Sequence, residues 1–142
     1  MPHHRACAIL LTRRGGRLGV LAFDHPLAGT QLPKGRIDRG EPIPRAAARE
    51  LREETGLIAR PLRRLQTIPH ADRGATWHLV LLTGPLPRRH RWAHVCADDG
   101  GHLFGVRSIP LTARPTAMHA CFRKVLSRLR HAPGLSIPLR RP

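Results

Sequence analysis

Acidic side chains are scarce in this sequence. The 142 residues include 9 Asp and Glu against 25 Lys and Arg, a formal net charge of +16 at pH 7. So basic a surface disfavours cationic ligands and attracts phosphates, with a strength set by salt. Nucleotides, polyphosphates and RNA are therefore the ligand classes to expect. Cysteine is sparse as well: Cys7, Cys96 and Cys121 are widely separated and odd in number, which gives neither a disulfide framework nor a CxxC metal pair. The ten histidines show no ligand spacing. Aromatic residues make up 4% of the chain, so few rings are available to stack on a base, and Trp77, Trp92 and Phe104 read better as core. Long apolar runs are missing. Stretches such as Ala8 to Leu11 and Leu79 to Leu82 fall far short of the roughly 20 residues of a membrane span, and the first dozen residues lack a signal-peptide layout. No membrane partner is expected, and the chain reads as cytoplasmic.

The length is a prior for one domain. With 41% apolar residues it can bury roughly 70% of its unfolded surface and build its own core. A single domain over residues 1–132 and a flexible tail over 133–142 are expected. Ala6 to Leu11 and Arg17 to Phe23 flank the turn-prone Arg13-Arg14-Gly15-Gly16 and predict a β-hairpin. A loop rich in Pro and Gly follows. From Pro44 to Thr55 the run PRAAARELREET has strong helix formers, a proline at its start and Gly56 at its stop. Leu62 to Ile68, Thr76 to Leu82, Trp92 to Val95 and His102 to Ile109 read as further strands. Met118, Cys121, Phe122, Val125 and Leu129 recur at helical spacing within a last helix over Thr116 to Arg130. Strands mixed with two helices give an α/β or α+β layer structure, and His78 and His119 read as filler.

The distribution of charge carries more than its total. Of the 25 basic residues 23 are Arg, an excess open to two readings, a compositional bias of the source genome or a functional polyanion field. All four glutamates lie between positions 41 and 54. On a helical wheel at about 100° per residue with Ala47 at zero, Leu51 near +40° and Ile43 near −40° define the apolar face. Arg45, Arg49 and Arg52 fall on the opposite side. Glu54 lies near −20°, Glu50 near −60° and Glu53 near −120°, so two carboxylates share the buried stripe and the third flanks it. Spacings of three and four bring them within mutual reach, where like charges repel. Two of them sit in the last turn, where the helix dipole disfavours anions by about 0.3–1 kcal/mol each and burial adds desolvation. A cation must compensate. Arginine can do so within a structural ion network, Arg49 to Glu53 being an i, i+4 pair. A hard divalent ion is the other solution, since Mg²⁺ takes one or two carboxylates plus waters and substrate phosphates. The preceding loop, with Gly35, Gly40 and prolines at 33, 42 and 44, exposes backbone that can face a metal or a phosphate.

Gly35, Glu41 and Arg49-Glu50-Leu51-Arg52-Glu53-Glu54-Thr55-Gly56-Leu57 fit the Nudix box, G-x5-E-x7-R-E-U-x-E-E-x-G-U with U aliphatic, at every specified position. The chain thus resembles the Nudix hydrolases, and the flanking strands resemble the Nudix α/β/α sandwich with its mixed central β-sheet. The resemblance implies a hydrolase acting on acid anhydrides in phosphorus-containing compounds: a pyrophosphohydrolase that cleaves a diphosphate bond in a nucleoside polyphosphate or other nucleoside-diphosphate-linked compound, with Mg²⁺ or Mn²⁺ present. By position it makes Glu50 and Glu54 the principal metal ligands, Glu53 a further ligand or water-orienting base, and Gly35 a backbone-carbonyl ligand. Arg49 would orient the carboxylates and Glu41 would support the loop. Many relatives use a further glutamate outside the box as catalytic base; this chain has none, which leaves Asp98 and Asp99 of Cys96-Ala97-Asp98-Asp99-Gly100-Gly101 as candidates beside the plain reading of a turn. Leu32-Pro33-Lys34-Gly35 resembles the entry to the box in Nudix enzymes of dinucleoside polyphosphates and diphosphoinositol polyphosphates. Lys34 and Arg36 stand as binders of outer phosphates, and the arginine surplus also suits an RNA 5′ end. The alternative function is a basic nucleotide- or RNA-binding Nudix module of low turnover. Many members of the family dimerise, and no long apolar seam here argues for or against a homodimer.

Overall fold

The computed structural model of the chain describes residues 3–89, 91–97, 100–132 and 135. Strands β1 (His4–Arg14) and β2 (Arg17–His25) form the expected hairpin, and their two-residue turn is made by Gly15 and Gly16 at φ 55° and 78°. Two successive positive φ values match the right-handed twist of the strands and favour glycine at both positions. The chain continues through β3 (Gly29–Gln31), β4 (Lys34–Arg36), α1 (Ile43–Thr55), β5 (Arg60–Asp72), β6 (Ala75–Thr83), β7 (Arg91–Cys96), β8 (His102–Pro110) and α2 (Ala120–Arg130). The sheet order is β5-β6-β1-β2-β8-β7, with β3 on β2 and β4 on β1. Strands β1 and β6 run parallel and the other pairs antiparallel, so the sheet is mixed.

Alternation along β1 divides the interior. Cys7, Ile9 and Leu11 join Trp77, Leu79 and Leu81 of β6 under α2, where Phe122, Val125, Leu126 and Leu129 close the layer. Ala6, Ala8 and Leu10 face the other way with Val80, Leu82, Phe23 and Phe104, against Ala46, Ala47 and Leu51 of α1. A strand buried on both faces reads as a continuous apolar run, as β1 does. One helix on each face gives the α/β/α sandwich. Among the described residues no helix is long and apolar enough to cross a membrane.

Four expectations need correction. The loop after β2 holds the short strands β3 and β4; their pairing to β2 and β1 comes from distant chain that local pattern does not show. Helix α2 begins at Ala120 rather than Thr116. Residues 116–119 are held differently: the Ala117 carbonyl accepts from the Thr30 N–H, Met118 bridges to Thr30, and His119 caps the helix by accepting the Cys121 N–H at Nδ1. His119 is therefore a cap rather than filler. Strand β5 runs from Arg60 to Asp72, beyond the expected 62–68, with register shifts against β6. Of the segment 133–142, Leu135 alone is described, half-buried against the α2 core.

Candidate active site

Helix α1 opens at Pro42, whose ψ of 140° is extended, with prolines suited to the first turn. It stops at Gly56, where φ is 81° and the N–H bonds to the Arg52 carbonyl, a left-handed cap that glycine adopts without strain. The last turn, carrying Glu53 and Glu54, leaves carbonyls without helical partners. Strand β7 supplies them: Trp92 Nε1–H donates to the Thr55 carbonyl at 2.8 Å, and His94 Nε2–H donates to the Glu53 carbonyl at 2.9 Å. Neither role is legible in sequence, because β7 lies some forty residues downstream and its polar tips look like those of any half-buried strand.

Arg49 organises the carboxylates. Its Nε and Nη2 donate to Glu41 at 2.8 and 2.9 Å in a bidentate fork, Nη1 donates to Glu50 at 2.8 Å and to Glu53 at 3.2 Å, and Nη2 also reaches the Arg36 carbonyl at 2.8 Å. The wheel put Arg49 outward beside Arg45 and Arg52. Those two are exposed, whereas Arg49 turns back, its side chain 27% exposed, to tie the loop to the helix. Its hydrogen bonds to Glu41, followed by those to Glu50 and Glu53, outweigh burial and hold the guanidinium proton more firmly than usual. A planar fork with fixed donors suits this better than a lysine would.

The same fork, chiefly through its hydrogen bonds, holds the Glu41 carboxyl below its ordinary value of 4.5. A depressed folded value means that the stabilisation is fully present above that pH and is lost as pH falls through the lower folded value. Thermal unfolding of the wild type between about pH 7 and pH 3 should show a steeper acid-side loss than that of Glu41→Gln, which has no proton to take up at this site. Parallel curves for the two proteins would show that the fork contributes nothing.

Glu50 is buried on the α1 face, Glu54 accepts the Lys34 N–H at 2.8 Å through Oε1, and Glu53 is partly exposed. Gly35 lies so close to Glu50 that a Cβ built on it would stand 2.1 Å from the carboxyl carbon. A cavity of about 360 Å³ is lined by all three carboxylates together with Gln31, Lys34, Arg36, Asp38 and Arg49. Lys34 is not a solvated arm; its ammonium sits 5.0 Å from the Trp77 ring centroid and 5.7 Å from that of Phe122. Trp77 is core, as expected. Asp98 and Asp99 lie outside the described residues.

Among the described residues no set of three His, Cys, Asp or Glu side chains is already drawn together as a metal cage. Mg²⁺ needs less, one or two carboxylates with waters and phosphate oxygens completing its shell. Hard oxygen donors on one cavity wall, with the Gly35 backbone pressed against Glu50 where a Cβ would fill the space, fit such an ion.

A family profile described as the NUDIX domain matches residues 2–129. The chain belongs to the Nudix family. It is 36% identical over 78 residues to an RNA pyrophosphohydrolase of Cereibacter sphaeroides, a match covering 54% of this chain and 46% of that protein. The chain thus spans about half the length of the curated relatives it matches. Among solved structures it is similar to the NUDIX domain of Shewanella oneidensis NrtR complexed with ADP ribose, with a TM-score of 0.66 at 20% identity, covering 92% of this chain and 87% of that one. It is also similar to a MutT NUDIX hydrolase of Burkholderia pseudomallei, with a TM-score of 0.62 at 23% identity, covering 89% and 97%. These likenesses show the Nudix fold.

Proposed function

We propose that this Nudix protein is a Mg²⁺- or Mn²⁺-dependent pyrophosphohydrolase whose substrate is a polyphosphorylated nucleotide, either an RNA 5′ end or a dinucleoside polyphosphate. The observation that carries the reading is the organised carboxylate cluster: Arg49 ties Glu41, Glu50 and Glu53 together on one cavity, and the Lys34 N–H fixes Glu54 on the same wall. Glu50 and Glu54 would hold the metal with the Gly35 carbonyl. When bound, the ion neutralises charge on phosphoryl oxygens and acidifies a bound water. Glu53, less buried and on the same cavity, is positioned to orient the attacking water and take its proton, and Asp98 or Asp99 is the alternative base. Arg49 acts as a positioning residue, keeping the carboxylates oriented so that little reorganisation accompanies the reaction. Arg36 and the Lys34 segment line the cavity where outer phosphates would lie. The names of the relatives and the net charge of +16 favour phosphate-rich substrates.

The test is phosphate or pyrophosphate release, with and without Mg²⁺ or Mn²⁺, over nucleoside triphosphates, dinucleoside polyphosphates, nucleotide sugars, ADP-ribose, diphosphoinositols and 5′-triphosphate RNA. Metal-dependent turnover of the phosphate-rich classes is expected. The absence of glutamate outside residues 41–54 motivates a second reading, a Nudix module that binds such ligands and turns them over slowly. Tight binding with no turnover across the panel would establish that reading and overturn the first.

A further inference from the structure

A second cavity, of about 520 Å³, adjoins the carboxylate site and shares Arg36 with it. Its volume falls within the roughly 300–1,000 Å³ typical of ligand pockets. His3, His4, Arg5, Arg36 and His78 supply its polar walls, Ile37 and Ile43 its apolar ones, and no carboxylate is among the described residues lining it. Arg5 and Arg36 face each other across the β1–β4 ladder, where like charges directly opposite destabilise a sheet. Burial, and then Arg36, hold the Arg5 guanidinium below its usual proton affinity, against longer-range help from Asp72 and Glu50. Among the described residues, neither guanidinium makes a hydrogen bond or ion pair.

Behind them lies a directed chain of donors. Arg64 Nη2, which has only protons to offer, donates to His78 Nδ1 at 2.8 Å, with Thr67 Oγ1 3.3 Å from the same nitrogen. His78 Nδ1 is therefore an acceptor and Nε2 carries the proton, which is given to His4 Nδ1 at 2.9 Å. His4 is left with Nε2–H as its remaining polar atom. Burial first, then Arg64 and His4, lower the proton affinity of His78, in keeping with a neutral ring in this role. His78 is therefore a link in a hydrogen-bond chain rather than filler. The polar groups around the cavity thus offer donors and positive charge, the chemistry of a phosphate site, and no Trp or Phe is there to stack on a base.

Resting on the hydrolase reading above, we propose that this cavity is a second phosphate subsite, in which His4, Arg5 and Arg36 hold a phosphate of the substrate that lies beyond the linkage being cleaved. Two sources carry that chemistry, the internucleotide phosphate of an RNA chain and the distal phosphate of a dinucleoside polyphosphate.

The experiment compares wild type with Arg5→Ala and His4→Ala, each checked for folding by thermal unfolding. Titration calorimetry with inorganic tripolyphosphate in EDTA reads the subsite without turnover; affinity should fall at least about tenfold in either variant, the size of a lost charge-assisted hydrogen bond, and Arg5→Lys should recover part of it. Steady-state assays then compare a 5′-triphosphate trinucleotide and a dinucleoside tetraphosphate with a nucleoside triphosphate. The ratio of the longer substrate's KM to that of the mononucleotide should rise in Arg5→Ala, and the substrate whose ratio moves identifies the source of the phosphate. Unchanged tripolyphosphate affinity together with an unchanged KM ratio would overturn the subsite. Loss of tripolyphosphate binding in the variants, with no turnover of anything by the wild type, would keep the subsite and remove the hydrolase reading.

Discussion

Glu54→Gln is expected to lower metal-dependent turnover by roughly 10²–10³-fold, the size of effect seen when one preorganised electrostatic group is removed, while the thermal midpoint hardly moves. The two outcomes separate because Glu54 has two tasks. Its Oε1 accepts the Lys34 N–H at 2.8 Å, a bond the Gln carbonyl oxygen can keep, so the tie between β4 and the last turn of α1 survives. The negative charge does not survive, and neutral amide oxygens are poor ligands for a hard ion beside the carboxylates of Glu50 and Glu53. Relief of repulsion among clustered carboxylates offsets part of any lost hydrogen-bond strength. Initial rates at saturating Mg²⁺, calorimetric titration of Mg²⁺, and thermal unfolding together check this. A variant that turns over within about twofold of wild type would remove Glu54 from the metal site.

The second large effect is expected at Gly35. A Cβ there would stand 2.1 Å from the Glu50 carboxyl carbon and 2.2 and 2.3 Å from its oxygens, closer than any non-bonded contact allows. The strand cannot give way easily, since Gly35 is paired with Ala6 of β1. Nor can Glu50 withdraw without lengthening its 2.8 Å bond to Arg49. Gly35→Ala should therefore turn the carboxylate out of place, with a stability cost of about 1–3 kcal/mol from overpacking and a loss of turnover of roughly 10²-fold from misplacement. Gly40→Ala is the control within the same box. Gly40 has φ 76° but nothing within 4 Å of a Cβ, so it should cost about 1–2 kcal/mol of backbone strain and leave the carboxylates where they are. Equal activity losses in the two variants would show that loop strain, rather than contact with Glu50, is the cause.

The parts of this molecule legible in its sequence are those set by short-range pattern. The β1–β2 hairpin follows from two apolar stretches and a glycine pair. Helix α1 follows from its residue types, its proline start and its Gly56 stop, and the box carboxylates can be read from spacing on that helix. What escaped depends on partners remote in the chain. Strands β3 and β4 have three residues each and exist because β2 and β1 are there to pair with them. A wheel alone turns Arg49 outward, and its carboxylate-orienting role is legible only through the Nudix resemblance and its spacing from Glu53; the bidentate tie to Glu41, eight residues earlier, is what the fold adds. His78 is joined to His4 across 74 residues, and no local signal marks either as more than a surface or core histidine. Trp92 is half-buried, as its apolar ring predicts, yet its indole N–H finds a carbonyl of α1 that only the fold brings near.

Strand β7 is an edge of the sheet, as β5 is at the other end of the strand order, and is paired on one side alone to β8. Rim strands open more readily than central ones, and cooperative opening involves whatever is bonded to them. Because Trp92 and His94 hold the carbonyls of Thr55 and Glu53, the turn bearing Glu53 and Glu54 is anchored at the periphery as well as through Leu51, the Lys34 N–H and Arg49. The breathing of the carboxylate turn is then set in part by an edge of the sheet, and changes in β7 far from any phosphate would tune it.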